Sequence, residues 1–261
     1  MTTTTRNALI ARELLEADRT GQPVPRLTHR FDGLSVDDAY AIQSMQLEEH
    51  QAAGRVLVGR KVGLTSLAMQ KQLGVDSPDF GYFFDDMVYG DGAAIPVARF
   101  IAPKVEPEYA FVLAHDLTGP GVSLEDAAAA VASVHPAIEI IDSRIANWDI
   151  GLVDTIADNA SCGAIVVGRE TLDIPTEELG KVECVLRFDG VAVDSGLGSA
   201  VMGNPLAPLA WLANVLGERG VTLKAGQTVL PGAFMAAAPV EPGLHVTADF
   251  GVHGALSVSF V

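Results

Sequence analysis

Two cysteines in 261 residues, Cys162 and Cys184, are too few for a disulfide framework or a zinc cluster. No stretch approaches the roughly 20 consecutive apolar residues of a membrane-spanning helix. The first twenty residues carry Arg6, Arg12 and Arg19 without the apolar run of a signal peptide. The expectation is a cytoplasmic protein with no membrane partner. Basic residues are also scarce, 17 against 33 acidic ones, for a net charge of −16. That surface repels phosphate backbones and anionic lipid, which excludes nucleic acid as a partner. An anionic substrate needs a local positive centre, such as a metal ion with a lysine. Glycine-rich phosphate loops are missing too. Gly196-Leu197-Gly198 lacks the third glycine of a dinucleotide fingerprint, and there is no Walker A sequence. Ser161-Cys162 stands outside any G-x-S-x-G elbow, which argues against serine or cysteine nucleophilic chemistry. No internal repeat or low-complexity segment is present.

Apolar residues make up 49% of the chain and charged residues 19%, enough to build a real core. Residues 5–20 have helical spacing in Ala8, Leu9, Leu14 and Leu15, stopped at Gly21-Gln22-Pro23. Ser35 and Asp38 suggest a capping box opening a second helix that runs to about Gly54. Residues 1–55 therefore read as a helical arm and 56–261 as a β-rich core, together a single domain. Val56–Leu64 reads as a strand, and Ser66 as the cap of a short helix ending at Gly74, before a loop from Val75 to Tyr82. Ser123 to Val134 reads as an Ala-rich helix, Asp154–Ser161 as a loop, and Pro205–Leu216 as the last helix. Asp189-Gly190 marks a type I′ hairpin between Val182–Phe188 and Val191–Val193. Leu244–Phe250 and Leu256–Val261 close the chain as strands. This order is neither a βαβ alternation nor a pure sandwich, and it predicts an α+β protein with a rolled or barrel-like mixed sheet.

The chemistry centres on Lys104-Val105-Glu106-Pro107-Glu108. In a strand, residues i and i+2 face the same side. Glu106 and Glu108 would point together into one pocket, and Glu139 lies in a second apolar run, Ala137–Ile141. Carboxylates held that close repel one another, and a divalent cation removes the penalty. Three oxygen ligands with open positions suit a hard ion, Mg²⁺ or Mn²⁺. The alternative is a half-exposed strand whose solvated face carries both glutamates. Lys61 stands in an apolar strand, either as a snorkelling or ion-paired lysine or as an amine whose pKa a nearby cation lowers. Asp79 follows Pro78, either as a turn residue or as a proton-transfer group. Asp158 and Asn159 either cap a turn or orient a water or a carboxylate.

Several segments resemble the 2-hydroxypenta-2,4-dienoate hydratases (2-keto-4-pentenoate hydratases). They are Gly59–Thr65, Gly74–Gly81, Glu106-Pro107-Glu108, Glu139–Arg144, Asp154–Gly163, Gly203–Leu206 and Gly226–Gly232, and they span nearly the whole chain. The resemblance implies a fumarylacetoacetase-like mixed β-roll with an N-terminal helical portion. It implies Mg²⁺ or Mn²⁺ on Glu106, Glu108 and Glu139, with Lys61 and Asp79 as catalytic groups. Leu64, Asp158, Ser161 and Gly232 would face a 2-hydroxydienoate or 2-oxo acid substrate. It further implies meta-cleavage catabolism of aromatic compounds or steroids. It also implies a homo-oligomer, a pentamer or decamer, with a neighbouring pathway enzyme as a candidate partner. The reaction implied is addition of water to give a 4-hydroxy-2-oxo acid. The first rival is an oxalocrotonate-type decarboxylase on the same metal, whose members tend to carry an aliphatic residue at the place of Asp79. The second is a non-catalytic subunit binding a partner enzyme. Two departures stand out. Pro107 removes a ladder donor, which predicts that its strand is at an edge or begins there. Pro231 stands where many relatives carry Thr, so a substrate-facing hydroxyl is missing.

Overall fold

The computed structural model describes residues 2–66, 70 and 77–261. Most of the helix expected from Ser66 to Gly74, and the start of the loop after it, lie outside the described residues.

Helix α1 (Thr3–Thr20) ends at Gly21, whose left-handed backbone donates to Ala17 O. A short helix missed in the sequence, α2 (Leu27–Arg30), precedes α3 (Val36–Ala52). The capping box of α3 forms as expected: Ser35 accepts from Asp38 N, and the Asp38 carboxylate accepts from Ser35 N. Ile10, Leu14, Ala39 and Ile42 of these helices close over Ile145, Ile156 and Ala157 from much later in the chain. The helical arm is thereby tied to the segment that follows Glu139.

The strands are β1 (Leu57–Gly63), β2 (Asp79–Phe84), β3 (Val88–Gly90), β4 (Ala93–Ile95), β5 (Lys104–Leu113), β6 (Val131–Ile141), β7 (Cys162–Val167), β8 (Glu183–Phe188), β9 (Val191–Leu197), β10 (Thr228–Leu230), β11 (Ala238–Pro239), β12 (His245–Asp249) and β13 (Ala255–Phe260). They form two open sheets. The larger runs β2-β1-β10-β5-β6-β7-β3, with β11 also paired to β5, and the smaller runs β4-β13-β12-β8-β9. The architecture is α+β, a roll of mixed sheets and not a closed barrel. The β8–β9 hairpin turns through Asp189 at φ 49° and Gly190 at φ 83°, the two left-handed residues of a type I′ turn.

Alternation along β5 and β6 divides the large sheet. Val105, Tyr109 and Phe111, with Ile138 and Ile140, face the core shared with the small sheet and with α6 (Leu206–Glu218). Glu106, Glu108 and Ala110, with Ala137 and Glu139, take the other face. Two boundaries differ from the sequence reading. The Ala-rich helix after Ser123, α4 (Leu124–Ala130), stops four residues early, because Val131 to Val134 continue into β6 alongside β5. The expected loop at Asp154–Ser161 begins instead with α5 (Leu152–Ala157), where the Asp154 carboxylate accepts from Gly151 N.

Pro107 also departs from expectation, since β5 is internal and Pro107 is its fourth residue. The cause is local. β10 pairs with β5 only at Phe111 and Val112, and β11 only at Lys104 and Val105. Between them Pro107 O accepts from Phe234 N at 3.1 Å. In an antiparallel strand a residue's N and O point the same way, so the missing donor falls in this gap and costs no ladder bond.

Candidate active site

The large sheet brings the sequence-predicted acids together. Glu106 pairs directly with Glu139 across β5 and β6. Glu106, Glu108 and Glu139 each offer a carboxylate oxygen within 4.8 Å of the others. Glu108 and Glu139 are each 1% exposed, and Glu106 is half-buried. Lys61 and Asp79 come from the neighbouring ribbon, where Gly63 faces Asp79 and Lys61 faces Gly81. Lys61 Nζ lies 3.2 Å from Glu139 Oε1. The half-exposed reading of this strand is excluded for Glu108, as is the plain turn reading of Asp79, which opens β2 at 2% exposure.

Two glycines make this packing possible. A Cβ on Gly63 would lie 2.2 Å from Asp79 Oδ1 and 3.4 Å from Lys61 Nζ. Gly232, at φ 124°, donates its N–H to Glu108 Oε2 at 2.8 Å, and a Cβ there would lie 2.1 Å from Thr65 Oγ1. Leu64 also has a left-handed backbone, at φ 56°, and its carbonyl accepts from the Gln70 amide.

The electrostatics are those of an acid cluster short of positive charge. Burial, then Glu139, pushes Glu106 up to about 7. Burial, then Glu139 and Glu106, raises Glu108 well above the ordinary range. Burial raises Asp79 as well, with Lys61 opposing. For Lys61, burial pulls the ammonium down, but Glu139 and Asp79 outweigh it and hold it raised and protonated at neutral pH. Among the protein's own groups Lys61 is thus ion-paired.

Asp79 Oδ1 accepts no hydrogen bond although it is buried, and Glu139 Oε1 has only its ion pair with Lys61. Buried acceptors without donors are costly. Three carboxylates facing a single ammonium fit a hard divalent cation that would supply the missing charge. Among the described residues no other group of three acids, histidines or cysteines has this arrangement.

Asp158 and Ser161 lie in a second buried cluster. Asp158 accepts from Arg144 Nε at 2.6 Å, from Arg144 N and from Ser143 Oγ. Burial raises Asp158 to about 6, against the Arg144 pairing. Ser161 Oγ meets Thr155 Oγ1 at 3.3 Å and Asp158 at 3.5 Å. Among the described residues no hydrogen bond joins either to the three glutamates. Asn159, Ala160 and Ser161 all take left-handed backbone, clamped by reciprocal hydrogen bonds between the Asn159 amide and the Tyr82 backbone. Arg144 and Thr65 were quoted in the sequence motifs without a role; Arg144 pairs with Asp158, and the Thr65 side chain packs against Gly232. Lys104 was also passed over. It shares the face of Glu106 by the i+2 rule, and its Nζ stacks 4.1 Å from the Trp148 ring centre.

No protein-family model matches the chain. Its fold is similar to that of a fumarylacetoacetate hydrolase family protein from Yersinia pestis, at TM-score 0.58 and 17% identity over 79% of this chain and 94% of that one. The likeness to the 4-oxalocrotonate decarboxylase of Pseudomonas putida G7, solved with magnesium and adipate, is far greater. There the TM-score is 0.94 at 34% identity, covering 100% and 99% of the two chains. The fold is thus fumarylacetoacetase-like. Sequence narrows the class: the 2-keto-4-pentenoate hydratase of Paraburkholderia xenovorans is 44% identical over 233 residues, 89% of this chain and 87% of that protein. The chain belongs to the 2-keto-4-pentenoate hydratase family.

Proposed function

We propose that this protein is a divalent-metal-dependent hydro-lyase acting on 2-hydroxypenta-2,4-dienoate or a close homologue, in meta-cleavage catabolism. The observation that carries it is one arrangement: Lys61 and Asp79, two proton-transfer groups, packed around Gly63 beside three clustered carboxylates. Glu106, Glu108 and Glu139 would hold the ion, Mg²⁺ or Mn²⁺. Held there, it would supply Lewis acidity for the enolate-like charge of the substrate.

The chain's own groups do the rest. Ketonisation removes the proton of the 2-hydroxyl and delivers one to C5, leaving a C3–C4 double bond conjugated to the ketone. Water then adds, its oxygen bonding to C4 and a proton ending on C3. Lys61, protonated and held against Glu139, is placed to deliver protons. Asp79, raised by burial and with Oδ1 free of donors, is placed to take and return one. Leu64 and Gly232 shape the substrate wall through their left-handed backbone. Asp158 and Ser161 act on substrate through the Arg144 cluster and the turn they brace. The whole of 1–261 works as one catalytic unit, an arm over a core. It assembles as a homo-oligomer in the cytoplasm, and among the described residues no helix is long and apolar enough to cross a membrane.

The decarboxylase reading has its own support, the 34% identical structure that covers this whole chain. Asp79 favours hydration, because delivering a proton and water at the far carbon needs a group that loss of CO₂ does not. One assay separates the two: dienoate and oxalocrotonate turnover with and without Mg²⁺ or Mn²⁺, scored for hydration and for CO₂. Hydration with little CO₂ is expected, and CO₂ release without hydration overturns the proposal.

A further inference from the structure

Lys61 and Asp79 occupy one face of the β1–β2 ribbon, and their chain neighbours Arg60 and Phe80 occupy the other. Arg60 is 6% exposed. It makes no hydrogen bond or ion pair among the described residues, whereas the other buried arginine, Arg144, has its fork filled by Asp158 and backbone carbonyls. Burial pulls the Arg60 guanidinium down to about 10, which leaves it charged at neutral pH. A buried cation without a counter-charge is expensive.

Arg60 opens into a cavity of about 340 Å³ between β1, α3 and the C-terminal end of α6. A second guanidinium stands at its rim. Arg219 lies 4.8 Å over the Tyr40 ring and 6.0 Å from the Phe80 ring, and those rings stack on each other at 4.5 Å. Only one carboxylate, Asp37, lines the cavity. Two guanidiniums against one carboxylate leave a single positive charge, in a protein whose net charge is −16. The walls from Tyr40, Phe80 and Leu216 are apolar. A monoanion with a planar head and a small apolar body matches that combination, since the guanidinium fork binds planar carboxylates bidentately.

We propose that this back-face cavity is a second carboxylate site, in which Arg60 and Arg219 bind a small organic monocarboxylate independently of the metal centre. The site sits directly behind the residues that move protons, on the opposite face of the β1–β2 ribbon.

Propionate is a suitable probe, titrated by calorimetry into the Mg²⁺-loaded full chain. Wild type should show two classes of site. Glu139→Gln should lose the metal-dependent class and keep the other. Arg60→Met should do the reverse. Arg219 is exposed, so Arg219→Gln is a safe second variant if Arg60→Met does not fold, and it should weaken the metal-independent class at least tenfold. A single class in wild type that vanishes in Glu139→Gln overturns the site. So does a metal-independent class unchanged by Arg219→Gln. If wild type shows one class only and Arg219→Gln lowers the mass seen by light scattering, the guanidiniums meet a carboxylate of a second copy, and the proposal fails.

Discussion

Gly63 and Asp79 face each other across β1 and β2, and the Asp79 carboxylate occupies the space where a side chain on residue 63 would begin. Gly63→Ala should therefore push Asp79 out of place without touching a metal ligand. The expected loss is on the order of 10²–10⁴-fold in kcat, the usual worth of a proton-transfer group. Divalent affinity measured by calorimetry should change little. Wild-type turnover in Gly63→Ala would mean that the position of Asp79 does not matter.

Glu108→Gln and Glu139→Gln should each fold and each lose divalent affinity and turnover together. Glu139→Gln carries an added effect, because it removes the ion pair of Lys61. Its lysine should titrate lower than in wild type. Saturation with Mn²⁺ at wild-type concentrations in either variant would remove that glutamate from the ligand set.

Lys61→Ala and Asp79→Asn should separate the two proton transfers. Both should still bind substrate, and Lys61→Ala should lose about 10²–10⁴-fold in kcat with a modest change in KM. Asp79→Asn should stop hydration while exchange of substrate protons with deuterated solvent continues, driven by Lys61. Normal hydration by Asp79→Asn would return the decarboxylase reading to favour.

The acid cluster also sets a pH dependence for the metal-stripped protein. Glu106 and Glu108 both titrate higher folded than unfolded, Glu106 up to about 7, so the folded chain binds more protons above pH 4.5. Their contribution to stability is present below pH 4.5 and is lost as pH rises through their folded values, that of Glu106 at about 7. The melting temperature in chelator should fall across that window. Excess Mg²⁺ should oppose the fall, because the cation binds the ionised form. A chelated protein whose melting temperature rises steadily from pH 5 to 7.5 would contradict the arrangement.

What was legible in the sequence was whatever rests on local periodicity. The i, i+2 spacing of Glu106 and Glu108 placed them on one face, and the Ser35 and Ser123 caps form as the spacing predicts. What was not legible depends on partners far away in the chain. The end of α4 is decided by the pull of β5 on residues 131–134, and α5 by its packing on α3 under Ile156 and Ala157. Asp158 could be named, but that its hydrogen bonds go to Arg144 follows from the left-handed turn at Asn159–Ser161, which propensity disfavours and Tyr82 imposes. Lys61 could be singled out from its apolar strand, but its pairing with Glu139 joins strands far apart in the chain.

Pro107 has one more consequence. A ladder left open by packing can close when the packing changes, during folding or after mutation. At Pro107 the ladder beside β5 has no donor to offer on that side, so β10 and β11 cannot run together through that position. The slot through which the 231–237 segment brings Gly232 to Glu108 is fixed by a covalent ring. The gap beside the acids is thus kept by the one residue between them that has nothing to donate.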